Sequence, residues 1–515
     1  MADLDRPHDV NPAQWAAITE PGARLLIVAG PGTGKTHTLT YRLMFRLRQT
    51  SPKKKFCAIT FTQKAAEEIK MRIARSPGAE SLMPRLVTGT FHSVCLNILK
   101  DAGPLSGLPE GFRCVDPDQA LGVSRSLWPG ESDRKLRERM DAMSRWKAIV
   151  FSGPVPDDVA FYNAQLRQRG LLDFDDLLCE TLYFLKEHPA VLSDLRADIP
   201  EIFVDEYQDV NPVQHAFLML WVGEKGGITA IGDPNQAIYG FRGSDQRFFK
   251  SFSDDFPGAR RVTLCDNYRS GQTILAASGQ VMARDADAVV PDLTAQLYRA
   301  GKLTVFEAAT DKAEAEYVVH QIEKLVGGTS MFSQDSGRVG AETGAERSFG
   351  DIAVLYRLKA QARLLKQALD RMGIPYYAAG ERKDGEDGPE SVCPSRYEEF
   401  SAAAERVSLM TLHASKGLEF PVVFIVGCEE NLLPLNLAGL QAEVREERRL
   451  FYVGMTRARE RLYLLRAKKR LLFGQTCHSQ VSPFLKDFED GLAEYEQAVM
   501  KNKKRAPGDE QMSLF

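Results

Sequence analysis

The sequence predicts an α/β protein of two parallel-sheet units, with its chemistry gathered at the ends of strands. Three observations predict it. Short apolar strands alternate with helices in two separate stretches, the first strand runs into a Gly-rich loop that opens a helix, and a later strand ends in two adjacent acids. At 515 residues the chain exceeds what a single hydrophobic core supports, so two to four domains are expected.

In the first unit, strands are expected at 25–29, 56–61, 202–204, 228–231 and 262–264. One helix runs from Lys35 towards Arg48, and another carries Ala65, Ala66, Ile69 and Ile73. Residues 96–194 read as a helical insertion, in which LDFDDLL at 172–178 sets acids where the first turn of a helix favours them. The second unit has strands at 303–307, 352–356, 407–411 and 422–426, with helices at 313–325, 360–372 and 446–457. Segments 327–350 and 381–394 and the tail from Lys501 are polar or rich in Gly and Ser, and are expected as loops.

Composition narrows the class of protein. Hydrophobic residues make up 44% and charged residues 26%, as in an ordinary soluble domain, and no apolar run approaches the roughly 20 residues of a membrane span. The polar, acid-bearing N-terminus is unlike a secretory signal, so a cytoplasmic protein is expected. The net charge of −3 excludes no partner, because nucleic acid responds to the potential of one cleft. Eight cysteines are scattered without a C-x-x-C pair, which favours buried thiols over a zinc ribbon or a disulfide framework.

The segment AGPGTGKT at 29–36 has phosphate-loop spacing, although Ala29 stands where the strict pattern has glycine. Gly30, Gly32 and Gly34 let backbone N–H groups close round phosphate oxygens, with Thr33 between them and His37 just beyond. Lys35 offers a charge to the β- and γ-phosphates, and Thr36 a hydroxyl to Mg²⁺. In IFVDEYQD, 202–209, an apolar strand ends in two carboxylates: Asp205 suits Mg²⁺ and Glu206 suits the attacking water. Alone such a pair is usually a solvated helix start; beside a phosphate loop it reads as a nucleotide site.

With NPAQ (11–14), TFTQKAAEEI (60–69), TGTFHS (88–93), GDPNQAIYGFRGSD (232–245), NYRS (267–270), TLHASKGLEF (411–420) and EERRLFYVGMTRARE (446–460), the chain resembles the UvrD/Rep/PcrA family of superfamily 1 helicases nearly end to end. The resemblance implies that Gln14 reads adenine, Tyr268 lies against it, and Glu419 lies near the ribose. Gln236 would sense the γ-phosphate, with Arg269 and Arg457 as its arginine fingers. Phe61, Thr62, His92, Tyr239, Phe241, Arg242, His413 and Lys416 fall in motifs that would contact DNA.

It further implies two RecA-like P-loop motor domains. Domain 1A would take 1–95 and 195–268 around a helical insertion 1B at 96–194, and domain 2A would take 269–475, followed by a helical segment at 476–500 and a flexible tail at 501–515. The implied activity is ATP-dependent 3′–5′ translocation on single-stranded or tailed duplex DNA, in repair or replication. The helicase subunit of a nuclease or phage-defence complex is the alternative, although no nuclease motif is present. An inactive scaffold fits poorly with intact Lys35, Asp205, Glu206, Arg269 and Arg457.

Four features depart from the family pattern. His37 and Gln63 replace a common Arg and Asn, and Phe241 stands where a stacking Trp is common. Where relatives insert the helical domain 2B, residues 380–406 form a short polar stretch, with a linker at 381–404, so 2B is expected to be absent or vestigial. The terminal QMSLF resembles a sliding-clamp peptide, with Gln511, Leu514 and Phe515 as anchors.

Overall fold

Two parallel sheets stand side by side in the computed structural model, which describes residues 6–149, 153–298, 300–327, 347–379, 405–437 and 439–497. The first contains β1 (Arg24–Ala29), β2 (Phe56–Thr60), β3 (Leu86–Thr90), β4 (Glu201–Val204), β5 (Gly227–Gly232) and β6 (Arg260–Leu264). Their order is β3-β2-β4-β5-β1-β6, with every pair parallel. Strand β1 lies between β5 and the edge strand β6, so Ile27 sits opposite both Ile231 and Val262. Burial of all but the first residue of β1 and of the whole of β2, β4 and β5 matches their largely apolar sequence, as expected of a sheet covered on both faces.

The second sheet comprises β7 (Lys302–Ala308), β8 (Ile352–Tyr356), β9 (Tyr376–Ala378), β10 (Val407–Thr411), β11 (Phe420–Val426), β12 (Ala458–Ala467) and, beyond the hairpin β13 (Lys469–Leu472) and β14 (Gln475–His478), the edge strand β15 (Glu494–Gln497). It runs β9-β10-β8-β11-β12-β7-β15, again all parallel. The helices that matter below are α1 (Pro12–Thr19), α2 (Lys35–Gln49), α3 (Gln63–Ala74), α4 (Phe91–Ala102), α5 (Phe174–Glu187), α6 (Pro189–Asp198), α7 (Gln272–Ala283) and α8 (Val444–Met455).

Two expectations are corrected. The segment 476–500, expected to be helical, carries β14, two 3₁₀ turns and β15 over its described residues. Its Glu, Leu and Ala favour helix locally, but the backbone of β15 completes the edge of the second sheet against β7. The helical insertion also divides. Its flanking helices α4, α5 and α6 pack into the first sheet's core through Cys95, Leu99, Leu182 and Leu192. A separate small core, around Val115, Ala120, Met143, Val159, Tyr162 and Leu166, belongs to the middle of the insertion. LDFDDLL does start a helix: Asp173 caps α5, and Asp175 and Asp176 lie in its first turn.

The chain passes from the first unit to the second after β6, where Ser270 Oγ donates to the Ala458 carbonyl at 2.6 Å and the Gly271 N–H donates to Arg459 at 2.9 Å. The expected loops at 327–350 and 381–394 and the tail from Lys501, with Gln511, Leu514 and Phe515, fall wholly or largely outside the described residues. Among the described residues no helix is long and apolar enough to cross a membrane.

Candidate active site

In a parallel sheet the C-terminal strand edge is where loops converge on a ligand. The first sheet follows that rule: β1 leads to the Gly-rich loop, β4 to Asp205 and Glu206, β5 to Asp233 and Gln236, and β6 to Asn267–Arg269. Two glycines of the loop are sterically required. Gly32 has φ +68°, and a Cβ there would stand 2.5 Å from the Cβ of Arg269; Gly34 has φ +81°, with Gln14 Nε2 2.7 Å from its would-be Cβ. The loop is thus packed on one side by α1 and on the other by the segment that leaves β6.

Lys35 opens α2 and sets its ammonium 3.3 Å from the carbonyls of Ala29 and Gly30. Burial lowers its pKa and Arg269 adds to that effect, while Glu206, Asp233 and Asp205 oppose it. The Thr33 hydroxyl donates to the Gly30 carbonyl at 2.8 Å, and Thr36 follows Lys35 in the first turn of α2. His37 Nε2 lies 3.2 Å from the Asp9 carbonyl. Gln14 is buried in a capping box with Asn11, and its Nε2 donates to the Thr33 carbonyl at 3.0 Å. Asn11 Nδ2 in turn donates to the Tyr268 hydroxyl at 2.9 Å, joining α1 to the far side of the loop.

The two acids are not equivalent. Burial raises Asp205 to about 7, and the neighbouring Glu206 pushes in the same direction. Burial also disfavours the Glu206 carboxylate, but Lys416, Lys35 and the Gln208 amide outweigh it and hold the pKa below the usual range. Glu206 adopts a left-handed backbone with φ 51°, a costly conformation for a non-glycine residue. Gln208 fixes its side chain, donating to Glu206 Oε2 at 2.5 Å while accepting from the Asp233 N–H at 3.0 Å. Sequence reasoning missed Gln208; its only signal was its place in the strand-end motif.

The second unit closes the site. Arg457 lies two residues beyond α8 and is fully buried; its guanidinium donates to the carbonyls of Val453 and Leu418 and to Gln236 Oε1, at 2.8, 3.1 and 3.4 Å. Burial and the adjacent Arg269 lower its pKa to about 9, so it remains a cation. Arg269 pairs with Glu419, whose other oxygen holds Arg459. Arg459 is a second residue that sequence reasoning missed. Gln236 also donates to Asp233 at 2.7 Å, so it bridges the two units.

The expected DNA-contact residues separate into two groups. Phe241 is 56% exposed, with Tyr239 and His413 edge-on to it at 6.1 and 5.7 Å and the Arg242 guanidinium 5.6 Å from its ring. The others face inward to differing degrees. Phe61 packs edge-on against the core residue Phe91 at 5.9 Å, the Thr62 hydroxyl caps α3, and His92 packs edge-on against Phe174. Lys416 departs furthest from expectation. Its side chain is 7% exposed, is ion-paired with Asp209, and donates to the Gln236 carbonyl at 2.9 Å. That ammonium neutralises a buried carboxylate and faces the interlobe contact.

Residues 10–154 and 156–257 match the UvrD/REP helicase N-terminal domain, and residues 262–383 and 392–469 match the UvrD-like helicase C-terminal domain. The chain belongs to the UvrD/Rep helicase family. It is accordingly an enzyme, a helicase of the UvrD/PcrA type. Similar proteins include the ATP-dependent DNA helicases PcrA of Staphylococcus epidermidis and Staphylococcus aureus. Each is 27% identical over an alignment covering 94% of this chain and 87% of the relative. The alignments run to 661 and 662 positions, more than this helicase's 515 residues, so the relatives carry segments that it lacks.

Proposed function

We propose that this chain is an ATP-driven motor that moves 3′ to 5′ along single-stranded DNA, with ATP bound in the cleft between the two sheets. One observation carries the reading: Lys35, Arg269 and Arg457 converge beside Asp205 and Glu206, with Arg457 bonded across the cleft to Gln236. Three cations gathered in a half-dry cleft are stabilised by a polyanion. They come from two units, so the charge on a transferring phosphate is met fully only when both are in place.

Each residue has a task in that reading. The Gln14 amide keeps one N–H and one oxygen lone pair beyond its two backbone bonds, enough to pair with an adenine edge. Tyr268, 37% exposed and steadied by Asn11, offers a ring face to the base, and Glu419 accepts from the ribose. Glu206, kept ionised chiefly by Lys416 and Lys35 and oriented by Gln208, takes the proton of the attacking water. Thr36 and Asp205 suit Mg²⁺: burial, and after it the neighbouring Glu206, hold Asp205 at about 7, and a cation would relieve both and neutralise phosphate charge when bound. Loss of the γ-phosphate removes the group that joins Arg269 and Arg457 to Lys35, and the cleft relaxes. Bases stacked on Phe241 are passed along in that cycle, with little sequence preference.

The missing length bears on what the motor does. Residues 380–406 are too few for a domain, and the longer alignments support a chain without 2B. Translocation by the monomer is retained in this reading, whereas unwinding of a long duplex needs help. A cytoplasmic role in DNA repair or replication, with QMSLF docking on the sliding clamp, fits a motor that is recruited by others.

ATP hydrolysis by the purified protein with and without single-stranded DNA tests the function. Strong stimulation by DNA, abolished in Lys35→Ala, is expected; hydrolysis that persists in Lys35→Ala contradicts it. A pull-down of the clamp with and without residues 511–515 tests the docking peptide.

A further inference from the structure

The segment from Gln236 to Arg242 leaves the end of β5 in the first unit, yet it is anchored on the second at three points. The Lys416 ammonium holds the Gln236 carbonyl at 2.9 Å. Ile238 is wholly buried in the second unit's core, in the same cluster as Leu450 and Ile274. The Gly240 N–H donates to Glu446 Oε1 at 3.0 Å, next to Phe241. A Cβ on Gly240 would stand 2.7 Å from Glu446 Oε2, so the carboxylate packs directly on that backbone.

Glu446 lies in the first turn of α8, and Arg457 follows two residues after its last. The nine-residue step from Glu446 to the last residue, Met455, spans about 14 Å of helix, which moves as a rigid rod. Arg457 is tied back to its last turn by donating to the Val453 carbonyl. One end of the rod therefore touches the phosphate side of Gln236, and the other touches the loop that bears the exposed ring.

We propose that Glu446 is a positioning residue that couples the nucleotide site to the DNA-stacking loop. A shift of Arg457 at the cleft is carried along α8, and the Glu446–Gly240 bond makes Phe241 follow it. A carboxylate accepting from an N–H is stronger than a neutral acceptor, and a glutamine keeps the bond at reduced strength. The role rests on the motor reading given above.

The test compares the wild type with Glu446→Ala and Glu446→Gln. ATP turnover is measured without DNA and at saturating oligo-dT, and ATP consumed per nucleotide translocated is measured on the same strands. In Glu446→Ala, basal turnover stays within roughly twofold of wild type, while stimulation by DNA falls about fivefold or more and ATP per nucleotide rises. Glu446→Gln recovers much of both. Wild-type stimulation and stepping in Glu446→Ala overturn the coupling role alone. Basal turnover that falls in parallel with the stimulated rate overturns it too, since it marks a merely structural contact. A wild-type protein with no response to DNA overturns the motor reading, and this role with it.

Discussion

Arg457 and Gln236 are joined across the cleft: a guanidinium following α8 of the second unit donates to an amide oxygen that follows β5 of the first, at 3.4 Å. The contact is long for a hydrogen bond, and both side chains are buried with their other ends fixed, Arg457 on backbone carbonyls and Gln236 on Asp233. Small relative movement of the two sheets therefore makes or breaks it. Arg457→Ala should lower the DNA-stimulated kcat for ATP by about 10³-fold, the usual worth of an arginine finger. A loss below tenfold in steady-state assays would remove Arg457 from the chemistry. Gln236→Ala combined with Arg457→Ala should cost less than the product of the single losses, because the two act as a unit.

Lys416 is expected to act on stability and not on DNA affinity. Lys416→Met leaves Asp209, whose pKa burial already raises to about 7, without its cation. The cost should be about 3 kcal/mol, with much of it recovered in Lys416→Met/Asp209→Leu. Chemical denaturation checks the cost. Single-stranded DNA affinity against salt checks the rest: the double variant should keep the wild-type slope, whereas loss of a phosphate contact would reduce it by about 0.7.

Two histidines should give a pH signature. Burial holds His92 at about 4, partly offset by Asp173; burial, then Arg357, Arg242 and Lys416, hold His413 at about 4. Both are neutral at pH 7 and add no charge to DNA binding. Between pH 6.5 and 4 the unfolded chain binds more protons at these sites, so their contribution to stability is lost as pH falls through that window. Asp205 and Asp209, raised to about 7, work in the opposite sense, so the clean reading is a difference. Relative to wild type, His92→Gln should gain about 2 kcal/mol on going from pH 7 to pH 5, followed by thermal melts. A difference independent of pH would show that His92 is not held neutral by the fold.

Among the expected DNA-contact residues, Phe241 carries the most exposed ring. Phe241→Ala should weaken binding of oligo-dT by about 1–3 kcal/mol, and Phe241→Trp should preserve it. Phe61→Ala should perturb the core contact with Phe91 more than it changes affinity. Equal affinity losses for the two rings would contradict the division drawn between them.

Much of this was legible in the sequence, for a physical reason. Strands buried on both faces must be unbroken apolar runs, so β1, β2, β4 and β11 stand out, and a phosphate loop needs glycines at positions that tolerate no Cβ. Strand β12 was hidden because it begins with ARER, charged residues that suit the site side of the sheet. Strand β15, EYEQ, is exposed along its whole length and owes its form to backbone pairing with β7, which no side-chain pattern reports. The same limit applies within the site. A lysine in TLHASKGLEF reads equally well as a DNA contact or as the counter-ion of Asp209, and only the three-dimensional packing of the two units distinguishes them.

Translocation on single-stranded DNA tests the central claim most directly. Strands of increasing length carry a fluorophore at either the 5′ or the 3′ end, and the protein is mixed with ATP and a trap in stopped flow. A delay that grows with length for the 5′ label alone, absent in Lys35→Ala, is the result expected of a 3′-to-5′ motor. Hydrolysis of ATP with no length-dependent delay at either end, or a delay at the 3′ label, would contradict it.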